Sequence, residues 1–252
     1  MVDIESAVIY HPLVDESRIE GGVKVSAEQQ RTAMDKANIK YTDEWSENCD
    51  IVHLNFPGPH AIRMLWRANR TNTPVITHVH SLGENIPGTY RFSGILGPII
   101  TRYFIWFYRQ ADYRIAVSEY TRNRLAAYGI TQNVFTVSNG VDEETLAGNT
   151  QVGSANNKSD DQLTIVNLGQ VYDIKGVGDF IEVGDELSHI DFKWYGPRHK
   201  YLSPRSTKQK VKHAPQNVEF PGYIEDKRQV FNLGDIFFAP THRETQGMSI
   251  LE

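Results

Sequence analysis

Short runs of β-branched and aromatic residues alternate with longer amphipathic stretches along nearly the whole chain, and this alternation restricts the fold more than any other feature. Runs at 7–10, 51–54, 75–78, 113–117 and 134–137 read as strands. Between them, 26–37, 61–68, 98–110 and 119–128 carry apolar residues at helical spacing. Strands that return only through helices pair in parallel, and a parallel sheet is covered on both faces. A polar stretch follows at 146–161, LAGNTQVGSANNKSDD, with the composition of a linker. The alternation then resumes, with strands at 163–168, 192–195, 218–220 and 236–239 and helices at 177–187, 204–213 and 224–232.

The expectation is an α/β chain: an N-terminal lobe at 1–148, a linker at 149–161 and a second lobe at 162–252. A helix opens at Gly247 and meets no stop signal before Glu252. Four strands also fall short of the roughly six of a doubly wound nucleotide lobe. The second lobe is therefore expected to be incomplete by about 80–100 residues.

Composition narrows the function classes. A net charge of −5 gives no general footprint for nucleic acid. One cysteine, Cys49, excludes an intrachain disulfide and fits a cytoplasmic setting. No stretch reaches the roughly 18 apolar residues of a spanning helix. The nearest, 94–108, is interrupted by Pro98 and Arg102. Work on a lipid would have to be done from the membrane surface, as a peripheral protein.

Three motifs stand out. LGQVYDIKG at 168–176 closes a strand and enters a helix. SNGVD occupies 138–142, and ETQGMSILE spans 244–252 behind the apolar FFAPT at 237–241. Together they resemble the signature of the retaining, two-lobed GT-B enzymes of glycosyltransferase family four. HVHSLGENIPG, FYRQADYRIAVSEYT, KGVGDFIEVGDEL, FKWYG and DIFFAPTHRETQGMSILE are more closely similar to the bacterial diacylglycerol glucosyltransferases.

The resemblance implies two Rossmann-like lobes and transfer of a hexose from a nucleotide sugar to a membrane-lipid hydroxyl. UDP-glucose is the favoured donor and diacylglycerol the model acceptor, with retention at the anomeric carbon. It also implies the roles of single residues. Lys175 would neutralise the leaving diphosphate, with Gly169 and Gln170 beside it; the family often has an arginine at the second of these, so the expected clamp lacks one charge. Glu244 would hold the donor sugar and Glu252 the ribose. Gly247 and Met248 would offer helix-end amides to phosphate, as helix N-termini do. His80 would touch the sugar from the first lobe, and Glu84 would face the acceptor. No permanently bound cofactor and no metal are expected, and the nine histidines read as scattered.

Several readings stay open at this level. His78 competes with His80 for the sugar. Gly21 and Gly22 let backbone approach a donor or simply form a tight turn. Ser118 is either an acceptor-side contact or the N-cap of the next helix. The aromatic helix at 98–110, with Ile99, Ile100, Tyr103, Phe104 and Phe107 on one face, packs in the core or meets lipid. Arg102, Arg109 and the basic stretch 198–212 would then pair with headgroups. Alternatives to lipid glycosylation are a soluble glycan acceptor and a non-catalytic remnant that binds a nucleotide or a protein partner.

Overall fold

A computed structural model describes residues 6–13, 22–84, 93–141, 163–198 and 203–251. The chain divides into two compact units, Met1–Glu84 with Ile99–Gly140 and Asn85–Pro98 with Val141–Glu252. The linker expected at 149–161 lies outside the described residues, as do Gly21 and Glu252.

The first unit is built on a six-stranded parallel sheet. Its strands are β1 (Val8–Tyr10), β2 (Lys40–Thr42), β3 (Ile51–Leu54), β4 (Val75–Val79), β5 (Tyr113–Ala116) and β6 (Val134–Thr136), in the order β2-β1-β3-β4-β5-β6. The helices are α1 (Gly22–Lys36), α2 (Pro59–Thr71), α3 (Ser93–Gln110) and α4 (Glu119–Ala127). Val52, Leu54, Val79 and Ala116 of the sheet are exposed by 1% or less, as are Ala27 of α1, Met64 and Ala68 of α2 and Phe107 and Tyr108 of α3.

Local chemistry fixes the boundaries. Pro59 supplies the preset φ of a first helical residue in α2. That helix ends where Asn72 turns left-handed and its N–H returns to the Ala68 carbonyl. Buried Arg114 gathers the carbonyls at the end of α3, with Nε donating to Tyr108 O at 2.7 Å and Nη2 to Arg109 O at 3.1 Å. Cys49, the single cysteine, is buried just ahead of β3.

Helix α3 departs from the sequence expectation in two ways. Sequence reading starts α3 at Pro98, but the helix begins at Ser93 and carries the proline inside it. Its apolar faces also divide differently: Phe104, Ile105, Phe107 and Tyr108 are buried, whereas Ile99 is 65% and Trp106 46% exposed.

The second unit has a four-stranded parallel sheet. Its strands are β7 (Thr164–Leu168), β8 (Asp191–Tyr195), β9 (Val218–Gly222) and β10 (Ile236–Phe237), in the order β10-β7-β8-β9. Helices α5 (Val177–Glu186), α6 (Arg205–Lys212), α7 (Lys227–Leu233) and α8 (Met248–Leu251) connect or follow them. Phe180, Phe192 and Trp194 are fully buried at its centre with Val177, and their rings meet edge to face at 5.0–5.3 Å. Burying one such ring contributes about 1.5–3 kcal/mol. Trp194 satisfies its indole N–H on the Gly169 carbonyl at 2.8 Å, which ties the core to the loop after β7.

Candidate functional site

In an open parallel sheet, ligands lodge beyond the carboxyl ends of the strands, where the strand order reverses. The second sheet reverses between β7, which leads to β8, and β10. The crevice there is lined by Asn167, Gly169, Lys175, Thr241, Glu244 and Gly247, among others. Four sequence candidates from two distant segments, Gly169 and Lys175 with Glu244 and Gly247, thus meet at one place. Lys175 and Glu244 form an ion pair, the ammonium donating to Oε2 of the carboxylate. Gln170 and Met248 do not line the crevice.

The backbone around Lys175 is tightly constrained. Lys175 ends a 3-10 turn, Asp173–Lys175, and Gly176 follows in the left-handed region at φ +80°. A Cβ on Gly176 would lie 1.9 Å from the Pro240 carbonyl oxygen, so only glycine fits this approach of the β7 and β10 loops. The Ile174 carbonyl accepts the His242 N–H at 3.0 Å. Asp173 accepts from Thr207 Oγ1 at 2.9 Å and Lys210 Nζ at 3.3 Å, which docks α6 on the same turn. At α8 the Met248 N–H donates to the Gln246 carbonyl at 3.0 Å. A roomier depression is lined by Asp173, Asp179, Lys210, His242 and Arg243, but its carboxylates are already paired with Lys210 and His242.

The first sheet reverses between β1 and β3. His11 follows β1, Asn55 follows β3 and His80 follows β4. His53 and His78 lie within β3 and β4. Sequence reading scatters the histidines, but the strand order assembles four of them. His11 meets His53 edge-on with centroids 4.9 Å apart. His53 stacks on His78 at 5.3 Å, and His78 on His80 at 5.0 Å. His78 and His80 are therefore neighbours on one face rather than exclusive alternatives, as residues two apart on a strand must be.

Amides knit the rings together. Asn55 lies 3.1 Å from Nε2 of His80 and 3.1 Å from Nε2 of His11. Gln30 lies 2.9 Å from His11 Nε2 and 3.2 Å from His78 Nδ1. Burial, reinforced by the neighbouring imidazoles, lowers His78 to about 3 and His80 to about 4. Burial also depresses His11 and His53. The four rings are thus neutral at physiological pH. Sequence reasoning missed Asn55, Gln30, His11 and His53, because their convergence depends on strand order. The available signal was a polar residue just beyond three successive strand ends.

The remaining candidates have plain placements. Ser118 is the N-cap of α4, its hydroxyl accepting the Thr121 N–H at 3.2 Å. Glu84 receives Arg124 Nε at 3.0 Å, with Arg124 Nη2 and the Tyr128 hydroxyl on its other oxygen, so it ties α4 to the loop after β4. Gly22 is the first residue of α1, and a Cβ there would meet nothing within 4 Å. Among the described residues no group of three or more His, Cys, Asp or Glu is arranged to hold a metal ion. No described helix is long and apolar enough to cross a membrane.

Two parallel-sheet units, each with a crevice at its reversal point, have the α/β architecture of the GT-B fold. Sequence comparison agrees: residues 20–145 match the model of Glycosyltransferase Family 4 and residues 162–252 that of Glycosyl transferases group 1, and the chain belongs to glycosyltransferase family 4. It is 26% identical to the processive diacylglycerol alpha-glucosyltransferase of Acholeplasma laidlawii over 88% of this chain and 68% of that protein. It is 30% identical to the alpha-galactosylglucosyldiacylglycerol synthase of Streptococcus pneumoniae over 86% of this chain and 61% of that one. Among solved structures, sucrose-phosphate synthase of Thermosynechococcus elongatus aligns with a TM-score of 0.64 at 12% identity, over 89% of this chain and 56% of its own. TarM of S. aureus aligns at 0.56 and 17% identity, over 82% and 39%. The chain thus spans about two thirds of the curated relatives and less of the solved structures.

Proposed function

We propose that this chain is the donor- and acceptor-binding part of a retaining hexosyltransferase that moves a hexose, favouring UDP-glucose as donor, to a hydroxyl of a membrane lipid such as diacylglycerol. The observation that carries the reading is the meeting of Lys175 and Glu244 at the β7–β10 reversal. Donor chemistry needs a cation for the diphosphate and a carboxylate for sugar hydroxyls. A fixed ammonium stabilises charge that builds on the departing nucleotide, and a carboxylate accepts short hydrogen bonds from hydroxyls. As the diphosphate enters, Lys175 exchanges Glu244 for phosphate oxygen, and Glu244 turns to the sugar.

Transfer then breaks the anomeric C–O bond to the phosphate and forms one to the acceptor oxygen on the same face. The acceptor proton leaves on the departing phosphate, so no side-chain nucleophile or metal is called for. Neutral His80 suits contact with an uncharged sugar, and Glu252 is assigned to the ribose. The names of the two curated relatives support a lipid acceptor. The outward-facing Ile99 and Trp106 of α3 suit a peripheral seat on the inner face of the cell membrane.

The test incubates the protein with UDP-glucose and diacylglycerol in anionic vesicles, beside Glu244→Gln, and reads the anomeric configuration of the product by NMR. An α-linked glucolipid from the unaltered protein alone supports the proposal. No transfer from any common nucleotide sugar overturns it. Failure to float with the vesicles overturns the membrane seat.

A further inference from the structure

An amide that bridges two imidazole nitrogens cannot treat them alike. Asn55 has one oxygen and one NH2 group; Oδ1 is placed 3.1 Å from Nε2 of His80 and Nδ2 3.1 Å from Nε2 of His11. One ring must donate and the other accept. Gln30 imposes the same opposition on His11 Nε2 and His78 Nδ1, at 2.9 and 3.2 Å. His53 Nε2 lies 3.1 Å from the same His78 nitrogen, and only one of that pair carries a proton. With all four rings neutral, the network has just two self-consistent protonation patterns. In one, His80 and His78 carry their protons on the nitrogens that face the amides, and His11 and His53 accept. In the other, every assignment reverses.

The buried end of the chain of rings decides between them. His11 is fully buried, and its Nδ1 has no hydrogen-bond partner. Gln30 Nε2 also donates to Ser26 Oγ at 3.3 Å, and Ser26 Oγ donates to Asn139 Oδ1 at 2.8 Å, which leaves the Gln30 oxygen facing His11. A buried N–H without an acceptor is rarer and costlier than an unused lone pair. The His11 proton therefore sits on Nε2, donated to Gln30 Oε1, and Gln30 donates in turn to His78 Nδ1. An Nε2–H on His11 needs an oxygen opposite it, so the Asn55 amide is reversed from its placed orientation, with its oxygen to His11 and its NH2 to His80. The two ends of an amide are isosteric, so a half-turn keeps both contacts.

We infer that Asn55 is a positioning residue that holds His80 as the Nδ1–H tautomer, in opposition to an Nε2–H His11. Free imidazole side chains favour the other form, so the assignment is a specific demand of this fold. The tautomer is independent of any catalytic role. Its consequence rests on the donor reading above: the one proton with which His80 can donate to a sugar hydroxyl is on Nδ1.

The experiment is long-range 15N–1H NMR on the full chain with 15N-labelled histidine, at a pH above the histidine range, with His80 and His11 assigned through His80→Gln and His11→Gln. The expected spectrum shows a pyridine-type Nε2 and a pyrrole-type Nδ1 for His80, and the reverse for His11. Asn55→Asp keeps the shape but offers only acceptors, so His80 Nε2 should move into the pyrrole-type region while His11 Nε2 stays there. Asn55→Leu should let His80 revert to Nε2–H, with circular dichroism checking the fold. The same tautomer on both rings in the unaltered protein overturns the inference, as does a His80 spectrum unmoved in Asn55→Asp. Because no turnover is measured, a failed transferase assay and a failed tautomer assignment remain distinguishable.

Discussion

Lys175 and Glu244, 69 positions apart, are each other's partner at the reversal point of the second sheet. Each is about a quarter to a third exposed, so the pair adds little to stability. Its importance lies in the exchange that a diphosphate would force.

Two substitutions there should have opposite effects on nucleotide binding. Lys175→Ala removes the cation and should weaken UDP about tenfold or more, on the scale of a lost charge-assisted hydrogen bond. Glu244→Gln frees the lysine and should leave UDP affinity unchanged or slightly tighter, while transfer falls about 100-fold. Titration calorimetry with UDP reads the first effect and product formation the second. Equal loss of UDP binding in both variants would remove the proposed division of roles.

Gly176 should tolerate no side chain. Its φ of +80° and the 1.9 Å approach of an added Cβ to Pro240 O predict that Gly176→Ala destabilises the second unit by at least about 1–3 kcal/mol. Urea unfolding followed by tryptophan fluorescence in a chain whose Trp45, Trp66 and Trp106 are replaced by Phe measures this. A midpoint equal to that of the unaltered chain would show that the loops can part freely.

The stacked histidines make stability acid-sensitive. His78 has a folded value of about 3, set first by burial and then by His80 and His11, against an ordinary value near 6.5. The unfolded chain therefore binds the extra proton, and stability falls as pH drops below about 6.5 towards 3. This one ring should cost about 2 kcal/mol between pH 7 and roughly pH 5. His78→Phe should flatten that slope, as denaturant melts across the range will show. An unchanged slope would mean that the buried rings do not govern it.

Glu84 offers a test between tie and acceptor contact. If its work is to receive Arg124 and Tyr128, Arg124→Ala should destabilise by about 1–2 kcal/mol, and Glu84→Gln should lower the melting temperature while sparing UDP-glucose hydrolysis. A Glu84→Gln protein of full stability that has lost lipid transfer would restore the acceptor-side role.

The alternation of strands and helices was legible in the chain because each run has its own apolar period. β3 at Ile51–Leu54 falls where the pattern puts it. β2 escaped because Lys40–Thr42 is a three-residue edge strand with no buried member and hence no hydrophobic signal. The start of α3 was lost because a proline reads as a first-turn residue. Lys175 and Glu244 could be picked out by motif, but not their pairing with each other. The histidine network was illegible for a deeper reason. His11, Asn55 and His80 become neighbours only when β1, β3 and β4 lie side by side, an order that no local window contains.

Cys49 gives the first unit a built-in clock. It is the only thiol in the chain and is 4% exposed, beside Ser46 Oγ at 3.7 Å. An alkylating reagent can reach it only during excursions that uncover the approach to β3, so the labelling rate reports how often that region opens. No probe has to be engineered in, and a nucleotide or lipid that quiets the unit would show itself as slower modification of a single sulfur atom.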